Sequence, residues 1–206
     1  MTALTYPTSR IYCPSEFTAE LQRNITQTRN PLTRRRKTVE HPGALWMFTL
    51  LFTPHSHDEM AEIEAFWNKA SDADNVVSMW HMVRPIPRGT LRTNTTTAAA
   101  ANEGASAINL NADTGKTLCA GDMMSIALAI GKPQLVQVVQ DVTAVANVMT
   151  AVPFVPPLVG SVSSGATVKV DKPTTTFRLE EPFVPAQYVP GFSPAFPVVL
   201  LEDPEW

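Results

Sequence analysis

The residues whose types and spacing could do chemistry are His55-Ser56-His57-Asp58, at the entrance to an acidic segment. Two histidines one residue apart can ligate a metal, with Asp58 or another histidine completing the shell. A second role competes for the same residues. Ser56 followed by Glu59 spells a capping box, in which each side chain satisfies a backbone N–H that a first helical turn leaves open. Only His41 and His81 remain as further histidines. Capping already accounts for Ser56 to Glu59, so no metal site is expected.

Other catalytic patterns are incomplete. Gly115-Lys116-Thr117 has the end of a phosphate loop, but Leu110 stands where its leading glycine belongs. Ser163-Ser164-Gly165 lacks the glycine of a nucleophile elbow. Glu59, Glu62 and Glu64 read as a solvated helix face. Cys13 and Cys119 are the only cysteines and form no C-x-x-C pair, which fits a reducing compartment better than a disulfide framework. Trp46, Phe66, Trp67 and Trp80 could build a sugar platform, but aromatics on facing elements are more often core. The reading is a chain with no catalytic residue and no cofactor, not an enzyme.

The elements that position these residues are legible. Met60, Ile63, Phe66, Trp67 and Ala70 share one stripe, which predicts a helix from Asp58 to about Ala70 with one buried face. Leu45–Phe52 and Val76–Val83 are short apolar runs, read as strands covered on both faces. Before them, residues 1–40 read as an extended arm with one short strand around Glu20 to Ile25. The stretch 91–106, rich in Thr, Ala and Asn, reads as a linker or long hairpin loop. Strands are then expected at Met123–Ile130, Leu135–Val142, Val145–Val152, Ala166–Val170 and Thr175–Leu179, with a last one at Phe196–Leu201. Short strands at this spacing predict a small antiparallel barrel or sandwich.

Eighteen prolines against nine glycines fit a mainly β chain with many turns and extended connections. With 206 residues there is room for one domain or two small ones. No signal peptide and no membrane-length apolar run is seen, so a soluble protein without membrane contact is expected. Basic residues crowd the first forty positions, and the chain after Asn94 is acidic. Arg34, Arg35, Arg36 and Lys37 are expected to meet acidic surface on a neighbouring subunit. No aromatic interleaving marks a nucleic-acid reader, so specific nucleic-acid binding is not expected.

Several features in order resemble the distal tail proteins, and related minor tail proteins, of long-tailed bacteriophages. They are Arg10, the Trp46 strand, the helix ending Glu64-Ala65-Phe66-Trp67, and Arg88-Gly89-Thr90. Leu118-x-x-Gly121-Asp122, Phe177-Arg178-Leu179 and the Val198–Glu202 strand follow. The resemblance implies a two-sheet belt domain with one α-helix at 1–92, completed by 177–206, and an inserted peripheral β domain at 93–176. It also implies a homohexameric baseplate-hub ring in the virion, made in the host cytoplasm. Its partners would be the tail tube protein and the tail hub or tip proteins, with the tape measure protein a further candidate. Tyr12, Phe17, Phe192 and Phe196, on proline-rich ends of the chain, are the aromatic residues expected at the subunit interface. The alternative is a module that binds host glycan or a tip protein.

Overall fold

Leu45–Phe52 organises the first sheet through strict alternation. Trp46, Phe48, Leu50 and Phe52 are buried, while Leu45, Met47, Thr49 and Leu51 are half-buried. The expectation of cover on both faces is therefore corrected: one face meets the core and the other is partly open. The structure, a computed structural model, describes residues 2–29, 31, 34–40, 43–53, 55–72, 74–184, 190–191 and 194–203, without the side chains of residues 39 and 40.

In chain order the first strands are β1 (Thr2–Thr5), β2 (Glu16–Gln22), β3 (Ile25–Arg29), β4 (Arg36–Glu40), β5 (Leu45–Phe52) and β6 (Asn75–Trp80). Helix α1 (His57–Ala70) lies between β5 and β6. Then come β7 (Thr95–Thr96), β8 (Ala107–Asn111), β9 (Thr117–Leu118), β10 (Met123–Ala127), β11 (Pro133–Val138) and β12 (Val142–Thr143). The chain continues through β13 (Val148–Val155), β14 (Thr167–Lys169), β15 (Thr174–Leu179) and β16 (Phe196–Glu202). The fold is mainly β: among the described residues 45% are strand and 9% helical, with one α-helix, far below the one-third helix of an ordinary globular domain.

Helix α1 forms where its caps dictate. The Ser56 hydroxyl accepts from the Glu59 N–H at 3.4 Å, and the Ser56 N–H donates to the Glu59 carboxylate at 3.1 Å. Met60, Ile63, Trp67 and Ala70 are buried, in one cluster with the inward side chains of β5. The first sheet runs β1-β6-β15-β16-β5-β2, and β3-β4 forms a separate two-stranded sheet. Residues 1–40 are thus not a free arm: β1 pairs in parallel with β6, and β2 pairs with β5 along its whole length. The predicted strand at Thr175–Leu179 also belongs here, between β6 and β16, and not among the strands that precede it.

Between β6 and β15 the chain builds a second sheet, β7-β14-β10-β11-β13-β8, which is nearly closed into a barrel. A bridge between Thr97 and Leu110, with Ala98 N–H donating to Asn109 O at 2.8 Å, joins its two ends. Leu110, Leu118, Met124, Ile126, Val136 and Val168 fill its core. The segment 91–106 is part of this closure, which corrects its reading as a linker. Thr97 is 1% exposed, exchanges backbone bonds with Gly165 and Ala166 at 2.9 Å each, and donates its hydroxyl to Ser163 O at 2.7 Å. β-branched residues suit a half-buried pleated surface, and here the threonines also bond across it.

Two segments that the sequence marks separately meet where the second sheet begins. The Asp122 carboxylate, 3% exposed as a residue, accepts N–H groups from Arg88 at 2.8 Å, Gly89 at 3.2 Å and Cys119 at 2.8 Å. A Cβ on Gly89 would lie 2.1 Å from Thr117 O, so only glycine fits that approach. Each buried donor left unpaired costs about 1–3 kcal/mol. Asp122→Ala should therefore lower stability by on the order of 3 kcal/mol in urea unfolding, and Gly89→Ala should also destabilise through the clash. A change below about 0.5 kcal/mol in the Asp122 variant, the range of an ordinary surface substitution, would contradict this reading.

Candidate subunit interface

The pairing of β2 with β5 runs from Glu16↔Leu51 to Gln22↔Leu45. Beyond it β3 pairs with β4 from Ile25↔Glu40 to Arg29↔Arg36. The four strands therefore make one long hairpin whose outer half is a two-stranded ribbon. At ~3.4 Å per residue, the five paired positions of the ribbon reach roughly 17 Å. All five residues of β3 are exposed, as are Arg36, Lys37 and Thr38 of β4. An isolated two-stranded hairpin is marginal in water, so this ribbon contributes little to the fold that carries it.

The ribbon holds the predicted basic cluster. Arg34 and Arg35 are exposed between the strands, Arg36 and Lys37 are exposed on β4, and Arg29 is exposed opposite Arg36. Positions 25–38 contain no acidic residue. Arg34 has φ 56°, a left-handed conformation that side chains rarely adopt, and it lies in the segment that reverses the chain.

The predicted interface aromatics divide differently. Tyr12 sits on a short 3-10 turn, Arg10–Tyr12, and is 4% exposed. Its ring packs 5.5 Å from Phe66, and its carbonyl accepts from the Tyr6 hydroxyl at 2.6 Å. Phe196 is 5% exposed and stacks on Phe52 at 5.0 Å with an interplanar angle of 13°. Both are buried in the chain's own core, which corrects the picture of free terminal arms; the register of β16 on β5 places Phe196 opposite Phe52. Phe17, on β2, is half-buried against Phe48 and His81. Phe192 lies outside the described residues.

His55 and His81 have structural surroundings. His55 Nδ1 lies 3.5 Å from the Glu59 carboxylate. His81 accepts from Arg84 N–H through Nδ1 at 3.2 Å, and burial, followed by the Arg84 charge, pulls its pKa down to about 4. It is a neutral ring wedged edge-on against Phe17. His41 lies outside the described residues. Among the described residues, no group of three or more His, Cys, Asp or Glu side chains is placed to hold a metal.

A polar cleft of about 370 Å³ opens on the second sheet, lined by Thr93, Asn94, Thr95, Asn111, Asp113 and Asn147 along with Leu91 and Ala112. None of these is aromatic, and Asn94, Asn111 and Asn147 are already bonded within the chain. Trp46 and Trp67 are core residues. Trp80 is half-buried beneath Lys172, whose ammonium lies 5.4 Å from its ring centre. Trp46, Trp67 and Trp80 do not line this cleft.

Sequence reading missed the joint between the two sheets. Glu202 is 1% exposed. Its carboxyl accepts from Trp46 N–H on β5 at 3.1 Å and from Leu135 N–H on β11 at 3.2 Å. Trp46 Nε1–H donates back to Leu135 O at 2.9 Å. Next to it, the fully buried Asp203 carboxylate meets Lys132 at 2.9 Å and Arg178 at 3.2 Å. A signal was present: Val198, Leu200 and Glu202 share the inward phase of β16, so a carboxyl had to face the core. Compared with known proteins, the chain matches no family model and no curated sequence.

The state of Glu202 follows from its partners. The Thr175 hydroxyl lies 2.7 Å from Pro133 O and 3.3 Å from the Glu202 carboxyl, and its one proton serves one of them at a time. Burial pushes the Glu202 pKa up to about 7, against the bonds from Trp46, Leu135 and Thr175, which favour the charged form. A raised folded-state pKa means that the native chain holds a proton which the unfolded chain releases near pH 4.5. Stability from this group is full below that pH and is lost as pH rises through 7. The loss is on the order of 3 kcal/mol at 1.36 kcal/mol per unit. Glu202→Gln should flatten the fall in stability across that window, measured by urea unfolding at several pH values; an unchanged slope would contradict a neutral Glu202.

Proposed function

We propose that this chain is a structural assembly protein of a bacteriophage tail: a distal tail protein that forms a ring joining the tail tube to the tip. The observation that carries assembly is the cationic ribbon, whose described side chains are all exposed and which extends the strand pair of β2 and β5. Such a ribbon gains its stability by docking on something else. The placement in a phage tail rests on the resemblance in the order of sequence features. Several of those features have structural roles in the fold: the helix carrying Trp67, the Trp46 strand, the Gly89 and Asp122 contact, and the last strand.

On this reading the protein acts by holding neighbours in place and not by turning over a substrate. Its partners are further copies of itself, the tube protein and the tip proteins, and its location is the virion. Six-fold symmetry is taken from the resemblance. A lasting contact between copies should bury more than about 1,000 Å². Imaging of the assembled tail should find the chain as a closed ring coaxial with the tube; a copy outside any ring, or no copy in the tail, would overturn the proposal.

A further inference from the structure

Among the described residues, strand β2 is an edge of the first sheet and pairs only with β5. Its outward positions carry Glu16, Thr18, Glu20 and Gln22, all exposed, with no basic residue along the strand. Its inward positions, Phe17, Ala19 and Leu21, pack on the core but remain half-buried, whereas Phe48 and Leu50 opposite them on β5 are fully buried. The core is thus unfinished along one margin. An open edge offers unpaired N–H and C=O groups to any incoming strand. Carboxylates along it repel acidic strands and attract basic ones.

The same chain carries a basic strand pair. The β3–β4 ribbon presents Arg29, Arg36 and Lys37 on exposed backbone of strand conformation. It cannot serve its own edge: it runs on beyond the end of β2, separated from it by Arg23 and Asn24, and pairs strand to strand within itself. The surface that offers the charge and the surface that receives it are different patches of one chain. A contact between them is head-to-tail, and rotation repeats it until the ring closes.

We propose that the cationic ribbon of one copy docks along the β2 edge of a second copy, setting Arg29, Arg36 and Lys37 against Glu16 and Glu20. This deepens the assembly reading above and rests on it for the identity of the partner. Docking covers Phe17, Ala19 and Leu21 and gives the ribbon the third strand that an isolated hairpin lacks. The charges are exposed, so the contact weakens with salt as the screening length shrinks below about 8 Å.

The test is reciprocal charge reversal, read by sedimentation velocity of the full chain after nuclease treatment, up to its solubility limit. One variant reverses the ribbon (Arg29→Glu, Arg36→Glu, Lys37→Glu) and the other reverses the edge (Glu16→Lys, Glu20→Lys). Both change only exposed residues, so each should melt near the parent temperature. Each alone should weaken association at least about tenfold, equivalent to 1.4 kcal/mol. Mixing the two variants should restore it, because every ribbon then meets an edge of opposite sign; combining all five changes in one chain should restore it too. A parent chain that stays monomeric throughout, reversed variants that associate like the parent, a mixture that stays apart, or association lost on removing nucleic acid would each overturn the docking. A tail ring that forms despite both reversals would remove this contact and leave the structural role standing. Docking in solution by a chain absent from tails would do the opposite.

Discussion

A buried carboxyl at the end of the last strand ties the two sheets together. Glu202 bonds backbone groups of β5 and β11 at once, and Trp46 returns a bond from its ring to β11. Met123 and Leu135, from the second sheet, are buried in the cluster that holds the inward face of the first. The long hairpin is therefore anchored at β5, the strand that Glu202 fixes to the second sheet. A polar group buried this deeply is costly unless every partner is in place. Asp203 adds a second tie, with Lys132 from the β10–β11 turn and Arg178 from β15.

That rigidity gives the ribbon its meaning. A two-stranded extension on a loose base would sample many directions and lose affinity to ordering entropy when it docked. Here the ribbon continues a strand pair whose inner half is held by Trp46, Phe48 and Leu50 in the core. Its charges gain from this placement as well. Exposed ion pairs are individually weak, but several presented together from one strand pair act in concert and set register and partner choice.

Much of the fold was legible because local rules and tertiary packing agree. β5 has the bounds that its apolar run predicts, and α1 begins at the cap that Ser56 and Glu59 spell. The β15 and β16 ranges fall within a residue of expectation. Agreement failed where pairing depends on distant partners. β1 is four residues of mixed character with no strong signal, held by parallel pairing to β6. The Thr-rich stretch around Thr97 looked like a linker because composition does not reveal hydrogen bonds to residues some 65 positions later. Tyr12 and Phe196 misled for a related reason: proline-rich flanks signal extended chain, but packing partners decide whether an aromatic on it is buried. The basic cluster was legible as charge; its place on a projecting ribbon, and the acidic edge that matches it, came only from topology.

Backbone hydrogen exchange tests the central claim most directly, comparing the free chain with the assembled form. Docking predicts that amides of β3 and β4 exchange quickly in the free chain and slow markedly on assembly. The β2 amides that face away from β5 should slow with them. If assembly instead protected other surfaces while both the ribbon and the β2 edge kept exchanging at the free rate, the ribbon would not be the assembly element.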